Sequence, residues 1–254
     1  MWSTLRTTRD YTRGLPTPVR WVHLAIAAVR DAAPLLLHPS YRWWTLPLLL
    51  GFLGAILLRP LDGPAIELVR RFNIHGDFRR EVEAVQQYGQ LTFSLIIAIV
   101  IYLLDPANRR RLVDWAIAAA VAALASNAIK FLIARPRPNF NDPFDIVGPL
   151  GFYPIEHGGK QTLESAWTAG HALSSMPSRH ATFAVVSSVF LIALYPRLRP
   201  IAVFLAVVVC VARVLTQAHY PTDVIAGAAI GLIVGRWAIR TALSTRLVRP
   251  RLTT

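Results

Sequence analysis

The sequence predicts an all-α, polytopic membrane protein with six transmembrane helices, and three observations carry that prediction. The chain is 54% hydrophobic and only 16% charged, against about 25% charged residues in a soluble domain. Its apolar residues gather into six runs, near residues 43–58, 89–104, 113–133, 180–195, 200–216 and 222–240. Its net charge of +13 sits in short clusters between those runs, a pattern of membrane topology rather than the continuous basic face of a nucleic-acid-binding module.

Taken in chain order, residues 1–42 read as a cytoplasmic or interfacial arm, with an amphipathic stretch at Trp21–Leu37 suited to a membrane surface. Arginines are scattered through this arm with no compact basic start and cleavage site, so no cleavable signal peptide is expected. Residues 43–240 then form the six-helix domain. The first and fourth runs are short of the ~20 residues that a comfortable span needs, so orientation carries more weight than length. With the N-terminus inside, the inner loops hold Arg109, Arg110 and Arg111, then Arg197 and Arg199, then Arg240, Arg246, Arg249 and Arg251. The first outer loop, residues 59–88, balances five arginines against five acids: Asp62, Glu67, Asp77, Glu81 and Glu83. Short, basic inner loops place both termini in the cytoplasm. Trp43, Trp44, Trp115 and Trp237 fall at the expected cytoplasmic ends as interfacial anchors. Residues 134–177 form a long outer loop, a length that suggests a lid or a head-group-reading role. Residues 241–254 are a basic cytoplasmic tail. The single cysteine, Cys210, lies in an apolar run and reads as packing.

Three groups of chemically capable residues fall at the outer ends of spans three to six. Lys130 sits near the end of the third span, and Arg135 and Arg137 follow as the chain leaves it. A lysine at that depth is costly and points to function, although one that snorkels to the head groups has the same signature. Pro177-Ser178-Arg179-His180 precedes the fourth span, where proline suits a first helical turn and free N–H groups make an anion site. Arg213, His219 and Asp223 bracket the turn between spans five and six. Asp223 in the first turn of the sixth helix can reach one nitrogen of His219, fixing its tautomer and leaving the other free to attack. Three fixed cations, two histidines and one carboxylate suit phosphoryl transfer, which needs positioning and charge stabilisation of the equatorial oxygens. On this reading His219 is the nucleophile, His180 the acid, and Lys130, Arg137 and Arg213 hold the phosphate.

These residues resemble the three-part signature of the type 2 phosphatidic acid phosphatase superfamily, K-x6-R-P, P-S-G-H and S-R-x5-H-x3-D. Lys130, Arg137 and Pro138 match the first part, Pro177, Ser178 and His180 the second, and Arg213, His219 and Asp223 the third. The resemblance implies a six-helix membrane fold and metal-independent hydrolysis of a lipid phosphate or pyrophosphate through a phosphohistidine, with no cofactor. It adds Ser178 to the phosphate ligands. With the topology above, the site is expected to face outward from a bacterial inner membrane, and the clustered charge leaves no nucleic-acid partner expected. Two positions depart. Arg179 replaces the usual glycine, and its guanidinium is a candidate contact to a second phosphate or a sugar. Ala212 replaces a serine.

Two other readings stay open at this point. His180, His219 and Asp223 have the composition of a metal triad, although three converging cations repel a divalent ion. A non-catalytic lipid-phosphate binder or transporter would use the same anion pocket, although two histidines and a carboxylate exceed what recognition needs. Within residues 139–176, Glu156, His157, Lys160, Trp167 and His171 are candidates for head-group reading, and each also suits an ordinary interfacial position.

Overall fold

The computed structural model describes residues 38–72, 74–157 and 159–244; the amphipathic stretch at Trp21–Leu37 and most of the basic tail lie outside these. Each of the six apolar runs is a helix whose ends fall within two residues of the expected ones: α1 (Arg42–Leu57), α4 (Leu91–Leu104), α5 (Arg111–Ile133), α6 (Arg179–Leu194), α7 (Arg199–Leu215) and α8 (Pro221–Thr241). Three helical stretches, Arg111–Phe140, Pro196–Leu215 and Pro221–Thr241, are long and apolar enough to cross a membrane. Two further stretches qualify as bent pairs: Arg42–Leu57 with Arg59–Phe72 at 50°, and Gly76–Gly89 with Leu91–Leu104 at 60°. The outward faces of α4 and α7 carry Ile99 at 57% and Phe204 at 65% exposure, apolar surface that water would penalise and lipid accepts. The chain is an integral membrane protein.

Helix α6 explains why one run was too short. At 16 residues it extends about 24 Å, less than the ~30 Å hydrocarbon core. It is also the packed centre, with Ala181–Ser188 all buried against α5, α7 and α8. Buried hydroxyls tie it to its neighbours: Ser188 to Tyr88 at 2.9 Å, Ser187 to Ser94 at 3.0 Å and Thr182 to Ser126 at 3.4 Å, the polar glue that membrane helices use. On α8, Gly227, Gly231 and Gly235 form a stripe along one face. A Cβ at Gly227 would meet the Ser178 carbonyl at 2.4 Å, and one at Gly231 the Thr182 carbonyl at 2.6 Å. Only glycine lets α6 and α8 approach this closely, and that approach sets the histidine-bearing ends side by side.

Three expectations change. The balanced outer loop at 59–88 is ordered as α2 (Asp62–Phe72), α3 (Gly76–Val85) and a 3-10 turn (Gln86–Gly89), because its charges lie on one face of amphipathic helices. The loop at 134–177 contains an antiparallel hairpin, β1 (Phe152–His157) and β2 (Lys160–Ser165), with Tyr153, Ile155, Leu173 and Ala134 forming a small core of their own. Trp115 is no interfacial anchor: it is buried and stacked on Phe190 at 6.1 Å, since at this point α5 faces α6 rather than lipid.

Candidate active site

The site is assembled where α5 ends, α6 begins, and α7 turns into α8. Helix α5 terminates at Ala134 in the left-handed conformation, φ 45°, so the chain reverses just after Lys130 and sends Arg135 inward. Arg137 continues in extended backbone and is held by Ala172 O at 3.1 Å. Ser178, not Pro177, is the N-cap of α6, with Pro177 one residue outside the helix behind a cis peptide. The Ser178 N–H donates to the Asp223 carbonyl at 2.9 Å, which ties the start of α6 to the first turn of α8. Pro221 opens α8, and Asp223 occupies its third position, accepting the Tyr220 N–H at 2.9 Å.

These elements enclose a cavity of about 550 Å³ whose lining includes Lys130, Arg137, Arg179, His180, Arg213 and His219. Among the described residues no carboxylate lines it. Three of the four cations are steadied by neutral acceptors: Lys130 by the carbonyls of Ser174 and Ser175, Arg137 by the His171 carbonyl at 2.8 Å, and Arg213 by the Gln86 side chain at 2.8 Å. Lys130 therefore points into the cavity and does not snorkel. Six buried side-chain nitrogen or oxygen atoms among the described residues have no hydrogen-bond partner; four of them are Ser178 Oγ, His180 Nε2, Arg213 Nε and His219 Nδ1. Unpaired buried polar groups are rare in folded chains; His180 and Arg213 line the cavity beside uncompensated positive charge and make an anion site, while Ser178 is buried next to His180 and is not among the lining residues. Arg179 reaches the same cavity from an exposed position at its rim.

His219 is 2% exposed and Asp223 is completely buried behind it. The expected hydrogen bond between them is absent from this geometry: His219 Nδ1 stands 3.7 Å from Asp223 Oδ2, an electrostatic contact too long for a hydrogen bond. The reason is competition. Asp223 Oδ2 already accepts Ser175 Oγ at 2.6 Å and the Tyr220 N–H, while Oδ1 accepts Arg135 at 2.7 Å. Burial pushes the His219 imidazole down to about 4; Asp223 opposes that shift, and Lys130 and Arg213 reinforce it. His219 is thus a neutral imidazole near pH 7, with a lone pair available. Among the described residues no His, Cys, Asp and Glu side chains come together as a metal-binding group.

Sequence reasoning gave no role to the residues behind the cavity. Arg135, only 1% exposed, bonds Asp62 Oδ2 at 2.7 Å, Thr222 Oγ1 at 2.8 Å and Asp223 Oδ1, and stacks over the Tyr220 ring at 4.2 Å. Asp62 accepts the Thr222 N–H at 3.1 Å and the Thr222 hydroxyl. Arg70 reaches the Pro138 carbonyl at 2.8 Å and Gln217 at 3.3 Å. The three residues supplied by the 59–90 segment, Asp62, Arg70 and Gln86, had no local motif to mark them. Of the loop candidates, His171 lines the cavity and Trp167 packs edge-on against Phe131 at 4.2 Å. Glu156 and Lys160 are exposed on the hairpin, and the His157 side chain lies outside the described residues.

A profile of the PAP2 superfamily matches residues 111–246. Two curated relatives are lipid A 1-phosphatases. The protein from Rhizobium etli is 33% identical over 123 residues, 48% of this chain and 45% of the relative. That from Rhizobium johnstonii is 34% identical over 111 residues, 43% of this chain and 39% of the relative. The matches thus span less than half the length of these relatives. Among solved structures, a transmembrane PAP2-type phosphatidylglycerolphosphate phosphatase from Bacillus subtilis superposes with a TM-score of 0.54 at 19% identity, covering 81% of this chain and 97% of that one, a likeness of fold. On the family profile, which covers more than half of its length, the chain belongs to the PAP2 superfamily.

Proposed function

We propose that the protein is a membrane lipid phosphatase that hydrolyses a phosphate monoester or pyrophosphate through a phosphohistidine on His219, without a metal. The observation that carries this reading is the cavity, free of carboxylates among the described residues, that Lys130, Arg137 and Arg213 line together with His180 and His219. The neutral His219 attacks phosphorus through Nε2, the nitrogen turned away from Asp223. The bond from phosphorus to the leaving oxygen breaks, and His180 donates a proton to that oxygen. Water then attacks the phosphorus, the P–N bond breaks, His180 takes up the water's proton, and phosphate leaves. Asp223 stabilises the charge that His219 acquires, and Lys130, Arg137, Ser178 and Arg213 bind the equatorial oxygens. The arriving anion supplies the counter-charge that a protonated His180 needs. Arg179 at the rim contacts whatever lies beyond the first phosphate.

The reading includes six spans over residues 43–240, with the bent pairs as spans one and two and α6 as a short central span. Basic inner loops put both termini in the cytoplasm and the cavity on the outer face of a bacterial inner membrane. The substrate class covers undecaprenyl pyrophosphate, phosphatidylglycerophosphate, phosphatidic acid and lipid A phosphates. The lipid A 1-phosphatase relatives put the last of these first in a test panel.

The test is phosphate release by detergent-purified protein from that panel in excess EDTA, with His219→Ala as control. Release by the wild type with loss of at least about 10³-fold in the variant supports the reading. Turnover that survives in His219→Ala, or that disappears with EDTA, overturns it. No turnover of any lipid by a folded wild type favours a binder that uses the same pocket.

A further inference from the structure

A buried network of charges lies behind the cavity, and one of its three members, Asp62, comes from outside the three motifs and outside the family-matched segment. Asp62, on α2, and Asp223, on α8, are both fully buried, and the Arg135 guanidinium lies between them, bonded to each at 2.7 Å. Asp62 also binds the first turn of α8 directly, through the Thr222 N–H and hydroxyl. A carboxylate at a helix N-terminus is favoured by the helix dipole and satisfies a free N–H. Here that turn carries Asp223, the carboxylate that faces His219.

The arrangement does two things. It fixes the position of Asp223, whose carboxylate is bonded to Arg135, the Ser175 hydroxyl and the Tyr220 N–H. It also fixes how much negative charge Asp223 presents to His219, because Arg135 divides its positive charge between two carboxylates instead of giving all of it to one. The chain Asp62–Arg135–Asp223–His219 carries one net negative charge before the imidazole is counted. We propose that Asp62, with Arg135, is a positioning residue for His219: it holds the first turn of α8 in place and keeps Arg135 from neutralising Asp223. This inference rests on the phosphatase reading only in naming His219 the nucleophile; the electrostatic link itself stands on geometry.

Two substitutions shift His219 in opposite directions. Asp62→Asn preserves shape but removes a charge, so Arg135 turns wholly to Asp223, the field at His219 becomes more positive, and its pKa falls. Arg135→Gln removes the cation, leaves two carboxylates facing the imidazole, and raises it. The other charged or titratable groups around His219 are Lys130 from α5, Arg137 after it, Arg179 and His180 from α6, and Arg213 from α7; none of them is altered by either change.

The experiment is a histidine NMR titration of the full chain in detergent, with the His219 signal assigned by its loss in His219→Ala. Phosphate release from phosphatidic acid is measured on the same samples. The expected result is a shift of the His219 titration on the order of one pH unit, downward in Asp62→Asn and upward in Arg135→Gln. Turnover in Asp62→Asn falls on the order of tenfold or more. A merely structural role would lower thermal stability and leave the His219 titration where it was, and that outcome overturns the proposal. If Arg135→Gln does not fold, Asp62→Asn decides alone: an unmoved or upward titration sinks the idea. Retained turnover in His219→Ala would instead overturn the phosphatase reading, while the titration would still report on the link.

Discussion

Arg135 and Arg213 are both buried arginines, one behind the site and one lining it, yet they keep opposite company. Arg135 is held between two carboxylates and a hydroxyl. Among the described residues Arg213 bonds the neutral Gln86 oxygen, and its Nε has no partner. The first is a closed network, its charges paired from within. The second belongs to a set of like charges, with Lys130 and Arg137, that repel one another and wait for an anion. The contrast separates charge that holds the fold together from charge kept available at some cost to stability, as functional sites often require.

The sharpest break of this comparison removes Arg135. Arg135→Ala strands two buried carboxylates, and a loss of about 3–5 kcal/mol is expected, read as a lower unfolding midpoint in detergent. Lys130→Met should do the reverse. It relieves repulsion, so the midpoint holds or rises, while turnover falls on the order of 10²–10³-fold. If both variants lost stability alike, the distinction between the two regions would collapse.

Inorganic phosphate sharpens the same contrast from the ligand side. At about 100 times its Kd it should stabilise the wild type by about 2.7 kcal/mol, and clearly less in Lys130→Met, as measured by thermal shift. The next effect is one of pH. His219 is held at about 4 by burial, below an unfolded value near 6.5. Between those values the unfolded chain binds the extra proton, so stability rises with pH across that window and is lost as pH falls through it. By pH 5 the loss attributable to His219 is about 2 kcal/mol, and His219→Gln should flatten that slope. Below about 4, where the free imidazole protonates, His219 can no longer attack and kcat/KM should fall. The smallest effect belongs to Arg179. An exposed guanidinium contributes about 1 kcal/mol or less, so Arg179→Gly should change turnover of a simple monoester less than about fivefold. Its larger effect should appear as a change of rank between monoester and pyrophosphate lipids in the panel.

Much of this architecture was legible before any coordinates. The six helices follow from hydrophobic runs, because a membrane offers backbone groups no partner outside the helix. The cavity residues could be read because their spacing puts them at helix ends: Lys130 in the last turn of α5, His180 in the first of α6, Asp223 in the first of α8. Local periodicity and capping carry that information. What the sequence could not show was pairing across long separations. Asp62 and Arg135 are 73 positions apart, and Gln86 and Arg213 are 127 apart. In the sequence Asp62 was one acid among five in a charge-balanced loop, and Arg135 was one arginine beside another.

Trp115 makes the same point from the apolar side. Its place near a helix end suggested an interfacial anchor, but the rotation of α5 about its axis turned it onto Phe190. By itself, then, the sequence determined that the apolar segments are helices, which end of each carries chemistry, and which residue types are available there. Only the tertiary structure decided which buried charges neutralise one another and which are left facing a cavity. Electrostatic pairing depends on distances of 3–4 Å, and those are set by how the helices pack, through the glycine face of α8 above all, rather than by any run of residues along the chain.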